Sequence, residues 1–102
     1  MKPRLSLQQK LVEILGSNHV YFQPPETVKM QYPCIVYNRS SGDTLYADNG
    51  PYSFTPSYEI TVIDKDPDSP LVRAIATGFE MIRFNRHFTV NNLNHDTFIL
   101  YY

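Results

Sequence analysis

The stretch of residues 58–63 constrains the fold most, because its side chains alternate between two chemical classes. Tyr58, Ile60 and Val62 fall on one face of an extended chain, and a glutamate and a threonine fall on the other. An alternation with period two is typical of a β-strand that has one face in a hydrophobic core. The sequence therefore predicts a sheet with one covered face, and the covering elements must come from the rest of the 102 residues.

A first helix is predicted over residues 7–15, where apolar side chains recur at helical spacing. Ser6 and Gln9 have the spacing of a capping box, in which each side chain satisfies a free backbone amide at the start of a helix. Gly16 follows as the expected stop, because glycine readily takes the left-handed conformation that ends many helices.

A second helix is predicted to begin at Ser69, with Pro70 at its first position. Serine is a preferred N-cap residue, and the missing amide of proline costs nothing in the first turn. The predicted apolar stripe of this helix consists of Leu71, Val72, Ile75, Phe79 and Ile82.

Four further strands complete the prediction. Apolar and β-branched runs bounded by turn residues place them at residues 19–22, 34–37, 86–90 and 97–101, with a turn at residues 91–94. The order is α-β-β-arm-β-α-β-β. Hairpin connections dominate, so we expect one α+β domain over residues 1–102, with a mainly antiparallel mixed sheet and both helices on one face.

The segment of residues 39–57 is the arm in this order. Three clusters of turn residues interrupt it, which leaves only short extended pieces at residues 44–47 and 52–54 and predicts a hairpin that projects from the sheet. Tyrosine combines a wide apolar ring with a polar tip and is favoured where protein surfaces meet. The arm is therefore the predicted subunit interface, with aromatic anchors and a charged rim: Arg39, Asp43, Tyr46, Asp48, Asn49, Tyr52 and Phe54.

No residue pattern predicts a catalytic, cofactor or metal site. Asp64, Asp66 and Asp68 have calcium-loop spacing, but serine and proline follow where such a loop needs glycine, so a solvated turn is favoured. Adjacent His95 and Asp96 point to opposite faces of an extended segment, which argues against a catalytic pair.

Other functional classes are disfavoured on similar grounds. The single cysteine, Cys34, opens an apolar strand and is expected to act as a small buried hydrophobe, and it suggests a reducing compartment. The net charge of −1, with scattered basic residues, disfavours specific nucleic-acid binding. No apolar run is long enough for a signal peptide or a membrane span, so no membrane partner and a soluble protein made inside the cell are expected.

Three stretches resemble a group of small tailed-bacteriophage virion proteins, described as tail-terminator, tail-completion, head–tail connector or minor capsid proteins. They are residues 46–52 (YADNGPY), 58–69 (YEITVIDKDPDS) and 91–98 (NNLNHDTF). Residues 32–37 (YPCIVY) also match the Tyr-Pro-then-strand pattern of tail terminators. Together with the first helix, the resemblance spans most of the chain.

The resemblance implies a non-enzymatic structural protein that forms a ring of copies of itself, a hexamer, at the head-proximal end of a phage tail. Such a ring caps the tail tube, binds the tail-tube protein, and meets neck, head-closure or portal proteins. Its implied location is the tail or neck of a virion assembled in the host bacterial cytoplasm. The alternatives are another connector (head-closure or minor capsid) protein, a small adaptor or nucleic-acid-binding module, and last an enzyme with a composite His/Asp site.

Overall fold

A computed structural model describes residues 3–40, 43–47 and 50–102. The two helices are α1 (Arg4–Leu15) and α2 (Pro70–Thr77). The strands are β1 (Val20–Phe22), β2 (Cys34–Arg39), β3 (Asp43–Ala47), β4 (Gly50–Thr55), β5 (Ser57–Asp64), β6 (Ile82–Val90) and β7 (Leu93–Tyr101). The predicted α+β class is confirmed, and the order of the helices and strands outside the arm agrees with the prediction. No helix in the described ranges is long and apolar enough to cross a lipid bilayer.

Five strands form one mixed sheet in the order β1-β2-β5-β7-β6. Strand β1 runs parallel to β2, and every other neighbouring pair is antiparallel. The alternating strand β5 lies in the middle, where Ile60 stands opposite Tyr37 of β2 and Phe98 of β7. Each of these three side chains is fully buried, so the strand with the clearest alternation forms the centre of the core.

The core lies between one face of this sheet and the two helices. Leu7 and Leu11 of α1 and Ile75 of α2 have no exposed surface and join the buried sheet residues in one cluster. Complete burial of a side chain of this size contributes about 1.5–3 kcal/mol. The sheet side of the cluster consists of Val20, Ile35, Tyr37, Tyr58, Ile60, Val62, Phe98 and Leu100.

Helix α1 begins earlier than the capping-box pattern predicts. Pro3 occupies the N-cap, and no side chain forms a capping hydrogen bond there. Ser6 lies within the first turn, and its hydroxyl forms a 2.7 Å hydrogen bond with the hydroxyl of Tyr102. The predicted capping box was therefore wrong. Gly16 is confirmed as the stop, since it adopts φ 80° and its amide donates to the carbonyl of Val12.

Helix α2 begins as predicted and ends sooner. The Ser69 hydroxyl accepts a hydrogen bond from the amide of Leu71 at 3.3 Å, and Pro70 is the first helical residue. The helix ends at Thr77, so the predicted stripe was wrong beyond that point. Phe79 packs against the core from the connection after the helix, and Ile82 does so from the start of β6.

The last two strands are longer than predicted. Both β6 and β7 contain nine residues. Asn91 and Asn92 have φ values of 53° and 63°, so the connection is a tight two-residue turn rather than four residues. Positive φ at both central residues is typical of the hairpin turn whose twist matches that of its strands. The long ladder brings Ile82–Val90 to an edge of the sheet.

Strands β3 and β4 pair in a separate antiparallel two-stranded sheet, with Asp43 opposite Thr55 and an irregularity after Leu45. The two short pieces predicted between β2 and β5 therefore form a hairpin. At its base, the Ser40 amide donates to the Ser57 carbonyl at 2.8 Å. Projection of this hairpin towards another subunit stays a prediction.

Candidate functional site

Strand β6 is a long, open edge of the five-stranded sheet. Seven of its nine residues are exposed, and in the described part of the chain no strand pairs with its outer side. Alternate residues of an antiparallel strand bond to a given neighbour, so the other residues of an edge strand direct amide and carbonyl groups outward. Such an edge is a template for another strand.

Large apolar side chains are exposed at this edge. Phe84 is 51% exposed, Val90 is 48% exposed, and Met81, just before the strand, is 59% exposed. Among the other side chains that the structure describes, in residues 3–40 and 56–102, only Leu5 and Tyr32 are comparably exposed large hydrophobic residues. Met81 and Phe84 lie near the start of the strand, whereas Val90 lies at its far end on the other face. Exposed apolar residues along an unpaired strand edge favour a protein partner.

A bulge in β6 arranges the basic residues of the edge. The register with β7 shifts between Phe84 and Arg86, which places Arg83 opposite Ile99 and Arg86 opposite Thr97. Ile99 and Thr97 share a face of β7, so the two arginines share the face of the sheet that carries no helix. Strict alternation along the sequence predicts opposite faces for them.

Ring contacts support one of these arginines. The guanidinium carbon of Arg86 lies 4.9 Å from the centre of the Phe88 ring. That ring is stacked on the His95 ring at a centroid distance of 4.7 Å. A cation over an aromatic face is attracted by about 0.5–1 kcal/mol at an exposed site. The arginine is therefore held over the sheet rather than extended freely into solvent.

His87 adds a polar group on the helix-bearing face of the same strand. Its Nδ1 lies 2.8 Å from Oδ1 of Asp96, directly across the ladder. The Asp96 side chain is 12% exposed and that of His87 is 44% exposed. The carboxylate orients the ring. Sequence reasoning considered Asp96 with His95; His95 instead lies against Phe88, on the other face.

Two shallow depressions flank Met81 at the start of the edge. The larger, of about 460 Å³, lies between α1, the end of α2 and the chain end, and the smaller, of about 250 Å³, lies beside Arg83 and Ile99. In the larger one, the Lys10 ammonium lies 4.4 Å from the centre of the Phe79 ring. The smaller depression is mainly apolar and the larger is mixed in character, and both offer places for a partner's side chains.

None of the interface residues predicted from the arm belongs to β6. The structure describes some of them and not others. Arg39 ends β2, is exposed, and donates its amide to the Gln23 side chain at 3.2 Å. Asp43 and Tyr46 lie in β3, and Tyr52 and Phe54 lie in β4. Two predicted residues lie outside the described residues: Asp48 and Asn49. Their assignment to an interface stays a prediction.

The carboxylates after β5 form a turn. The Asp64 side chain accepts the amide of Asp66 at 3.1 Å, and the Asp66 side chain accepts the amide of Asp68 at 2.9 Å. The predicted solvated turn is thus confirmed. Across the ranges that the structure describes, no group of three or more His, Cys, Asp or Glu residues could hold a metal ion.

Cys34 has the environment of an unreactive thiol. It is fully buried at the start of β2. Burial, with a smaller contribution from the negative charge of Asp64, raises its pKa from 9.0 to about 11. The thiolate is the nucleophilic form of cysteine, so the prediction that this residue acts as a buried hydrophobe is confirmed.

Sequence reasoning missed Met81, Arg83 and Phe84 as surface residues, because it assigned this region to the second helix and the connection after it. The Asn91-Asn92 pair was the available signal. A two-residue turn requires its strands to pair from the residues that flank it. A strand that pairs along the whole length of β7 must therefore begin before Arg86.

No protein-family model matches the chain, and no curated protein sequence matches it. The chemistry of the β6 edge and the resemblance in short motifs are therefore the grounds on which function is argued.

Proposed function

We propose that this chain is a non-enzymatic structural protein of a tailed-phage virion, a ring-forming tail terminator that caps the tail tube and joins it to the neck. The observation that carries the proposal is the open β6 edge, where outward backbone groups, exposed apolar residues and two arginines coincide. This combination suits recognition of another protein strand. The partners are further copies of the chain, the tail-tube protein, and head-closure or portal proteins.

The charges of β6 favour a ring over a two-fold dimer. Arg83, Arg86 and His87 lie on this strand, and it contains no acidic residue. Pairing of two β6 strands across a two-fold axis brings these basic groups together, and like charges on paired strands destabilise a sheet. A head-to-tail contact, in which β6 meets a different surface of the next copy, avoids this repulsion and generates a closed ring.

One of the motifs that carry the phage resemblance contributes to this surface. Residues 58–69 contain most of β5 and the cap of α2, and residues 91–98 contain the tight turn and the first six of the nine residues of β7. The second stretch sets the register of β6. Residues 91–98 and the β6 edge therefore belong to the same hairpin, which supports a role in assembly.

Electron microscopy of phage particles that lack this protein tests the proposal. We expect tails of uncontrolled length and filled heads without tails, because a terminator stops growth of the tube and supplies the docking surface. Tails of normal length joined to heads would refute the proposal. Normal-length tails detached from filled heads would instead assign the chain to head closure. Neighbouring genes for portal or tail-tube proteins provide an independent check.

Deletion of residues 43–54 tests the part of the arm in ring formation. With a short Gly-Ser bridge from residue 42 to residue 55, we expect a folded monomer in native mass spectrometry. Replacement of residues 26–29, an exposed loop of the described structure, by the same linker provides the control and should leave assembly unchanged. Persistence of rings after the deletion would show that the arm is not the assembly element.

A nucleic-acid-binding module is the second candidate. Arg83, Arg86 and Phe88 share one face of β6 and combine cations with a ring of the kind on which bases stack. Fluorescence anisotropy with single-stranded DNA and RNA at about 50 mM and about 200 mM salt distinguishes the two functions. Salt-sensitive binding that Arg83→Glu/Arg86→Glu abolishes would favour this candidate, whereas the proposed assembly role predicts little binding at either salt concentration.

A further inference from the structure

We propose that strand β3 of one copy adds to the outer side of β6 of the next copy, so that the β3–β4 hairpin extends the neighbour's five-stranded sheet. This inference rests on the proposed function and specifies both surfaces of the ring contact. The binding surface is the β6 edge, and its occupant is the segment Asp43–Ala47 of a second copy of this chain.

A partner strand would stabilise the hairpin. Strands β3 and β4 form a sheet of their own, apart from the five-stranded sheet. An isolated two-stranded hairpin is marginally stable in water, and further strands or packing are needed to make it stable. Addition to an open edge supplies a third strand at once.

Of the two hairpin strands, β3 is the better one to add. It contains neither proline nor glycine, so every residue has an amide and a side chain. Strand β4 begins with Gly50 and Pro51. Proline lacks the amide that a ladder needs, and glycine weakens a strand. Strand β3 has five residues, and the nine residues of β6 accommodate its full length.

The two segments have opposite charge. Strand β3 contains Asp43, Asp48 follows it in the chain, and residues 43–55 contain no lysine or arginine. Strand β6 contains Arg83 and Arg86 and no aspartate or glutamate. Opposite charges on paired strands stabilise the pair, whereas like charges oppose it. The hairpin therefore complements β6 in charge, while a second β6 does not.

The other end of the sheet is a poor acceptor. Strand β1 has three residues, and the carbonyl of its first residue, Val20, already accepts a hydrogen bond from Gln8 at 3.2 Å. Strand β1 is too short to pair with all five residues of β3, and one of its carbonyl groups already accepts a hydrogen bond.

Charge reversal on each surface tests the contact. Sedimentation velocity over a concentration series gives the association of the wild type, of Arg83→Glu/Arg86→Glu, and of Asp43→Arg/Asp48→Arg. Each double variant alone should associate at least about tenfold more weakly, because two attractions become repulsions. An equimolar mixture of the two should regain most of the wild-type association, since each reversed surface then finds its complement.

Matched controls separate this pairing from a general charge effect. Lys29→Glu/Lys65→Glu and Glu13→Arg/Glu26→Arg make the same charge changes at exposed positions outside both segments. They should associate like the wild type, alone and mixed. Circular dichroism checks that each variant is folded, and the single variants Arg86→Glu and Asp43→Arg replace any double variant that is not.

Three results would overturn the contact: wild-type association by either double variant alone, no recovery on mixing, or a wild-type chain that remains monomeric up to about 1 mM, where even weak contacts are populated. Each is distinguishable from failure of the proposed function. Overlong tails in particles without the protein would still support a terminator whose subunits meet through other surfaces.

Discussion

The two edges of the five-stranded sheet differ in length and in exposure to solvent. Strand β1 is three residues long, and its residues are buried or half-buried. Arg4 of α1 lies 4.2 Å from the centre of the Phe22 ring, and Gln8 binds the Val20 carbonyl. Strand β6 is nine residues long, mostly exposed, and carries Phe84 and Val90 in contact with solvent.

This difference indicates where the molecule associates. Proteins protect sheet edges by shortening them, covering them or placing charge and proline along them. The β1 edge has the first two protections, and Pro24 and Pro25 follow it. The β6 edge has only its arginines and a bulge, which discourage self-pairing but admit an acidic strand. Because the same sheet has one protected edge and one open edge, we expect a partner to bind at the open edge.

The largest expected effect is a difference in stability loss between a substitution near the covered edge and one at the open edge. Tyr37→Ala removes a fully buried ring that lies 4.9 Å from the Phe22 ring at the covered edge. We expect a loss of about 3–5 kcal/mol in the free energy of unfolding, measured with urea. Phe84→Ala, at the half-exposed end of β6, should cost about 1 kcal/mol. Equal losses would contradict the contrast between the edges.

Proline substitutions distinguish the inner and outer sides of β6. The tight turn makes Val90 and Leu93 the closing pair, so we expect the amide of Phe88 to face β7 and that of Thr89 to face outward. Phe88→Pro should cost about 3 kcal/mol of stability. Thr89→Pro should change stability less and weaken self-association about tenfold, because it removes an outward donor. Unfolding by urea and sedimentation velocity measure the two effects, and identical behaviour of both variants would refute an open outer side.

Gln8 tests how the β1 edge is covered. Its side-chain amide donates to the Val20 carbonyl, and its oxygen accepts from the Tyr37 hydroxyl at 2.5 Å. Gln8→Ala should destabilise the protein by about 1–2 kcal/mol, because two hydrogen bonds of part-buried groups are lost. Hydrogen exchange should quicken in β1 and remain unchanged in β7. Gln9→Ala, on the exposed side of α1, is the control and should have almost no effect.

The smallest effect concerns Cys34, at the start of β2 beside the covered edge. Its folded pKa is raised from 9.0 to about 11, so its contribution to stability is complete below pH 9 and is lost as the pH rises towards 11. Cys34→Ala should remove this part of the alkaline decline, measured by urea unfolding at several pH values. Burial also raises the pKa of Tyr37, so some decline should remain at higher pH. An unchanged decline in the variant would contradict the assignment.

Local patterns were sufficient for much of the fold. The alternation around Ile60 placed the central strand, Ser69 and Gly16 marked helix ends, and the turn clusters between β2 and β5 predicted a hairpin. Each depends on interactions between residues close in the chain. The errors arose where distant contacts prevailed: Ser6 contacts Tyr102 instead of capping α1, and Ile82 joins a sheet instead of a helix.

The candidate surface was less accessible to prediction. The arm and its seven named residues came from the sequence, and their role at an interface remains a prediction. The β6 edge was not predicted from the sequence, because no local residue pattern distinguished this edge strand from a central one. Only pairing with β7 on one side, with no strand described on the other, makes Phe84 and Val90 surface residues.

The sequence by itself determined the class of the fold, the central strand and the hairpin, since side-chain periodicity and turn chemistry act over a few residues. The tertiary structure alone decided which edge is covered and which is open. It also decided that Arg83 and Arg86 share a face, because the bulge after Phe84 shifts the ladder by one residue. That register depends on β7, a strand whose position no pattern within β6 specifies.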